Sequence, residues 1–207
     1  VYGPSLPTLL NIHEKPEALP SKKIIPLNYY GIKLMSMGFL VPKENAVIWR
    51  GLMVQSAIQQ MLFDVLWGHD GHAIDVLLVD LPPGTGDVQL TIAQKLNVDS
   101  AIVVTTPQEL SIVDARRAIN MFQKVNVSNI ALLENMHHFN CPSCGHESFI
   151  FDRGGVQRLA LETDTKIVGS IPIDIDYRQS ADNGEPFLIK FPERPISQEF
   201  LKIAQAL

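Results

Sequence analysis

Three stretches of this chain are aliphatic almost without interruption and too short to be helices. They are Ile74–Asp80 ("IDVLLVD"), Ala101–Pro107 ("AIVVTTP") and Asn129–Met136 ("NIALLENM"). A strand with both faces covered reads this way, and such strands belong to parallel sheets. Between and after them lie segments with apolar residues three and four apart, over Val88–Leu96, Leu110–Val125 and Arg153–Thr163. Strand alternating with helix predicts βαβ units: an α/β, doubly wound, mostly parallel sheet with helices on both faces. Lys166–Pro172 adds a strand and the chain from Ser197 a closing helix. Upstream, Val1–Pro20 reads as a Pro-rich loop, Ile32–Leu40 as a short buried strand and Trp49–Trp67 as an amphipathic helix. No internal repeat interrupts the pattern.

A length of 207 residues suits one substantial domain. The net charge of −5 argues against a nucleic-acid binder, which needs a basic face. No apolar run reaches the roughly 20 residues that span a bilayer. Cys141 and Cys144 are the only cysteines, too few for a secreted disulfide scaffold, so a reducing compartment is expected. The chain opens on Val1 directly into "VYGPSLPTLL". That opening reads as a strand end and loop that begin upstream, as in a fragment or processed product.

Two stretches carry chemistry. In "LLVDLPPGTGD" an aliphatic strand delivers Asp80 to a Gly-bearing loop. Nucleoside triphosphatases place an acid there to hold Mg²⁺, usually through water, and glycines such as Gly84 and Gly86 let backbone approach a phosphate. An ordinary turn-capping Asp at a strand end has the same appearance. The second stretch is "ENMHHFNCPSCGHESF", with C-x-x-C spacing at Cys141 and Cys144. Pro142 stiffens that turn and Gly145 tolerates its twist. Four uses fit two thiols so spaced. A thioredoxin-type redox pair would want a helix directly after the first cysteine, whereas a β-branched and aromatic strand follows. A structural zinc would need two of His137, His138 and His146, at awkward spacing. A knuckle without metal is the third. The fourth uses a two-fold axis to bring four thiolates from two chains together, a set that suits a 4Fe–4S cluster.

Read in order, "VYGPSLP", "VDLPPGTGD", "VTTPQELSIVDARRA", "ENM", "CPSCG" and "GSIPID" closely resemble the Mrp/ApbC family of P-loop iron–sulfur carriers, deviant Walker ATPases of the MinD-like group. The likeness covers nearly the whole chain. "FNCPSCGHESFIF" and "QSADNGEPFLIKFPE" look most like the mitochondrial nucleotide-binding-protein-like branch tied to respiratory complex I. The resemblance implies that Gly3, Pro4 and Ser5 belong to switch I, that Asp80 is the Walker B acid, and that Pro83, Gly84 and Gly86 form switch II. It implies that Asn135 reads adenine and that Pro172 and Ile173 lie near the base. A carboxamide can pair with adenine N6 and N7, although a turn-forming Asn also fits this position. It further implies a homodimer through the Cys141/Cys144 hairpin, holding the cluster between subunits, with ATP and Mg²⁺ as the other ligands. The expected role is delivery to apo iron–sulfur proteins, complex I subunits among them, in the mitochondrial matrix or, alternatively, the cytoplasm.

The sequence departs from that family in one respect. It has no G-x-x-x-x-G-K-[ST] phosphate loop and no variant of it, and the acids that precede "VYGPS" in the family are not in it. Residues 1–207 therefore read as a single truncated P-loop domain lacking its first strand, with a cysteine hairpin inserted at about 137–150. Slow ATP hydrolysis is expected of the full-length parent; this stretch alone is expected to fold poorly and not to hydrolyse ATP. The rival classes are a MinD-type positioning ATPase, which would want a membrane-binding helix or basic patch, and a zinc-stabilised α/β domain with no enzymatic role.

Overall fold

The computed structural model describes residues 5–40, 56–82 and 84–206. Its main sheet is built on β4 (Asn129–Asn140), which pairs in parallel with β3 (Ser100–Thr105) on one side and β6 (Lys166–Ile173) on the other. Helix α4 (Glu109–Lys124) makes the crossover from β3 to β4. Helix α5 (Gly155–Thr163) leads from β4 towards β6. Parallel neighbours require such crossovers. In α4 the residues Ile112, Ala115, Ile119 and Phe122 recur at helical spacing and bury one stripe against β3, β4 and α5. On the opposite face α8 (Pro195–Gln205) sets Ile203 and Phe200 against Leu133, Val168 and Ile171. Helices therefore cover both faces, and the middle of β4, from Ala131 to Glu134, is buried throughout. The doubly wound α/β expectation holds, with β5 (Glu147–Ser148) adding one antiparallel pairing at the far end of β4.

Two glycines set how closely the outer elements approach. Gly169 of β6 lies under α8, where a Cβ would sit 2.6 Å from Ile203 Cγ1. Gly184 follows α6 (Ile175–Asp182) at φ +68°, and a Cβ there would stand 2.7 Å from both the Thr8 carbonyl and the Asn11 nitrogen. That glycine lets α1 (Ser5–Leu9) pack against α6. Asp174 caps α6 by accepting from the Tyr177 N–H at 2.8 Å.

Four expectations are corrected. Ile32–Leu40 is not one strand: β1 (Leu27–Tyr29) and β2 (Ile32–Leu34) form an antiparallel hairpin, and Met37–Leu40 is a short helix, α2. Tyr30 and Gly31 both have positive φ, the two-residue hairpin geometry, which turns the chain before a longer strand can form. Lys33 ties this hairpin to the next segment, donating to the Trp67 carbonyl at 2.5 Å and to Asp70 at 2.7 Å. Part of the predicted Pro-rich loop is helical, as α1. The helix expected to run to Trp67 is helical over 56–59, becomes a π-turn over Gln60–Asp64 and ends at Val65; its part before residue 56 lies outside the described residues. Ile74–Asp80 is not a buried strand, because no ladder among the described residues includes it. Val76 and Leu78 are 73% and 85% exposed. Only Val79 and Leu81 turn inward, onto Ile58 and Ile92. Aliphatic composition makes a segment fit to be a central strand; burial comes from its neighbours.

Gly184→Ala is expected to lose roughly 1–3 kcal/mol, from strain at positive φ and a clash with fixed backbone. In thermal melts of the intact protein the midpoint falls by several degrees; one unchanged within a degree overturns the assigned packing.

Candidate functional site

β4 does not stop where its partner β6 does. The pairing, shifted by one residue between Leu132 and Leu133, runs to Asn135↔Ile171 and next resumes at Phe139↔Ile173, four residues along β4 against two along β6. The surplus is taken up by a kink at Met136, whose φ is +57°. Beyond it, Phe139 and Asn140 pair with Ser148 and Glu147 of β5, forming a hairpin that projects from the carboxyl end of the sheet. The tip is a tight turn: the Gly145 N–H donates to the Cys141 carbonyl at 2.8 Å and the Cys141 N–H to the His146 carbonyl at 2.9 Å. Gly145 has φ +71°, the reason a glycine follows the second cysteine.

Both thiols are free, Cys141 half-buried and Cys144 exposed. The Ser143 backbone N–H, then that of Cys144 and its side chain, hydrogen-bond to Cys141 and hold its thiol below the ordinary range. Such donors favour the thiolate, the form that binds metal. Two of the nearby histidines lie against other side chains. His137 Nδ1 lies 2.9 Å from Glu134 Oε2, and His138 Nε2 is 3.1 Å from the Asn140 amide nitrogen. Among the described residues no group of three or more His, Cys, Asp or Glu side chains is placed to hold a metal ion. The geometry thus offers two thiols and no third ligand from the described part of the chain.

Asn135, Pro172 and Ile173 come together at the carboxyl ends of β4 and β6, where open α/β sheets bind ligands. Asn135 Oδ1 accepts from the Met136 N–H at 3.0 Å and so also serves the kink. Asp80 is exposed at the end of the 76–80 segment. The loop after it feeds α3 (Asp87–Lys95), with Gly86 at the N-cap and Gln89 donating to the Pro82 carbonyl at 2.8 Å. Gly84, at φ +94°, has nothing within 4 Å of the place a Cβ would take. Ser5 opens α1. Gly3, Pro4 and Pro83 lie outside the described residues.

One residue escaped sequence reasoning. Glu134 is fully buried, and its Oε2 meets Ser170 Oγ at 3.2 Å, Gln157 Nε2 at 3.3 Å and His137. Its signal was an acid embedded in the aliphatic run "ALLEN".

The family described as "ParA: NUBPL iron-transfer P-loop NTPase" matches residues 1–207. The chain belongs to that family. It is 43% identical to the iron-sulfur protein required for NADH dehydrogenase, mitochondrial, of Arabidopsis thaliana, over 99% of this chain and 64% of that relative. Against the iron-sulfur cluster transfer protein NUBPL of Mus musculus the identity is 42%, over 99% and 63%. Against the iron-sulfur cluster carrier protein of Aquifex aeolicus it is 43%, over 100% and 56%. The chain thus spans 56–64% of the length of these relatives. Among solved structures, a nucleotide-binding protein from Archaeoglobus fulgidus in complex with ADP is similar with a TM-score of 0.71 and 32% identity, covering 94% of this chain and 77% of that one. The MinD cell division protein of Aquifex aeolicus, at 20% identity and a TM-score of 0.51 over 75% of this chain and 59% of its own, shares the fold. An Mrp/ApbC-like member with a MinD-like fold is what the sequence motifs implied.

The hydrogen bonds at Cys141 give a titration that can be checked. Alkylation of Cys141, followed against pH by peptide mapping, is expected to have its midpoint below that of an ordinary thiol, because the reactive thiolate persists to lower pH. A midpoint at or above the ordinary value overturns the assigned knuckle geometry.

Proposed function

We propose that the intact protein is an iron–sulfur carrier that holds a 4Fe–4S cluster between two copies of itself, through Cys141 and Cys144 of each, and delivers it under the control of ATP. The observation that carries this reading is the hairpin tip. It presents two reachable thiols, one of them biased towards thiolate, with His137 set against Glu134 and His138 against Asn140. Two such tips facing across a two-fold axis supply four thiolates, the ligand set of a cubane cluster. The cluster is cargo. Each chain gives only half of its ligands, so parting the two hairpins releases it without breaking a closed protein cage.

ATP is the second ligand in this reading. Asn135 pairs its carboxamide with the adenine edge, and Pro172 and Ile173 pack beside the base. Asp80 holds Mg²⁺ through water, while the backbone at Gly84 and Gly86 approaches the phosphates and Ser5, Gly3, Pro4 and Pro83 complete the loops around them. The open space around Gly84 is consistent with such an approach. β4 carries Asn135 and ends one residue before Cys141, so one strand links base to cargo.

The recipients we infer are apo iron–sulfur proteins, and subunits of respiratory complex I first among them. The Arabidopsis relative is named as required for NADH dehydrogenase and as mitochondrial, which supports that recipient and the mitochondrial matrix as the location. A membrane-positioning role finds less support. No helix among the described residues is long and apolar enough to cross a membrane, and α8 buries Ile196 and Ile203 rather than presenting them.

Anaerobic reconstitution of the intact protein with iron and sulfide, read as iron per chain, visible absorbance and native mass together, tests the reading. Expected are about four irons per dimer, lost in both Cys141→Ala and Cys144→Ala. A monomer holding one zinc and no iron would overturn it.

A further inference from the structure

Glu134 has no part in the scheme above, yet it is the fully buried acid of the described core. A carboxylate removed from water costs several kcal/mol unless donors replace its hydration. Here the replacement is lopsided. Oε2 accepts from Ser170 Oγ and Gln157 Nε2 and lies 2.9 Å from His137 Nδ1 in ion-pair contact, whereas neither Oε1 nor His137 Nδ1 has an aligned hydrogen bond among the described residues. The three contacts come from β6, from α5 and from the root of the cysteine hairpin. The last spans the kink at Met136, since Glu134 stands two residues before it and His137 one residue after.

His137 passes the constraint on. Its ring meets Phe149 edge to face, with centroids 5.3 Å apart and planes at 89°, and meets His138 in the same manner at 5.2 Å. Phe149 lies on the return leg of the hairpin just after β5, and the Arg153 guanidinium covers its ring at 3.3 Å. Such contacts fix relative orientation. The hairpin is thus held by the two-residue ladder of β5, by the Phe139↔Ile173 pairing with β6 and by this side-chain chain from the core.

We propose that Glu134 is a positioning residue: through His137 it staples the kinked β4 and so sets the direction in which Cys141 and Cys144 point, and with it how firmly a shared cluster is retained. The second clause rests on the carrier reading; the first does not. A hairpin with two ladder pairs, tied to the sheet only at Phe139↔Ile173, is marginal in water, so without the staple the tip samples many orientations. Two thiolate pairs that must meet across an axis bear that loss directly.

The test separates the two clauses. In the metal-free intact protein, amide hydrogen exchange is followed over residues 138–148 and over α4 for His137→Phe, Glu134→Ala and Glu134→Gln. His137→Phe keeps a ring against Phe149 and His138 but deletes Nδ1, so it reports the staple even where Glu134→Ala is too unstable to purify. Exchange over 138–148 is expected to rise about tenfold in His137→Phe with α4 unchanged, and Glu134→Gln to restore most of what Glu134→Ala loses. Unaltered exchange over 138–148 in His137→Phe overturns the inference whether or not iron is bound. Next, cluster loss to a chelator is timed in reconstituted protein, where His137→Phe should shorten the half-life about fivefold or more at equal starting iron content. A loosened hairpin with an unchanged half-life overturns the link to cargo. A loosened hairpin in a protein that takes up no iron leaves the staple standing and removes the carrier reading instead.

Discussion

The burial of β4 on both faces and both edges is the constraint on which the other features depend. Ala131–Leu133 are enclosed between α4 and α5 on one side and α8 on the other, while β3 and β6 satisfy the backbone. A strand so enclosed cannot shift register, because a slip of one residue would turn every side chain to the wrong face. Fixing it also fixes whatever continues from it. The kink and both ends of the staple lie on this one element, and the cysteine turn follows directly from it. The site is therefore built outward from the core rather than assembled from independent loops.

Asymmetry within the knuckle has a local origin. The turn that satisfies the Cys141 carbonyl through Gly145 also aims the Ser143 and Cys144 amides at the Cys141 sulfur. The Cys141 thiol is lowered chiefly by backbone amides, with the Cys144 and Ser143 side chains adding to them.

Much of the layout could be read from periodicity. The runs at Ala101 and Asn129 became β3 and β4, and the apolar spacing of Ile112 to Phe122 became the buried stripe of α4. The segment at Ile74 resisted the same reasoning because its pattern describes a strand between two neighbours, and no ladder among the described residues takes it up. The Tyr30–Gly31 turn was missed since a bulky residue at positive φ gives no compositional signal. For the site, C-x-x-C spacing exposed the thiols and "ENM" the strand end, but spacing could not reveal the engagement of His137. That depends on a kink through which two residues three apart meet across a change of direction. Glu134 was visible only as an oddity, an acid where the run called for another leucine.

One consequence of the irregular pairing between β4 and β6 concerns change over time. Asn135 and Cys141 are separated by a stretch that contains both a kink and a paired segment, so its length is set at both ends. Losing or gaining a single residue there would invert the facing of the cysteine turn, and a change ahead of His137 would also part it from Glu134. Surface loops elsewhere can drift in length at little cost, but this stretch behaves as a ruler. Descendants of the protein can revise its chemistry by substitution far more easily than by insertion.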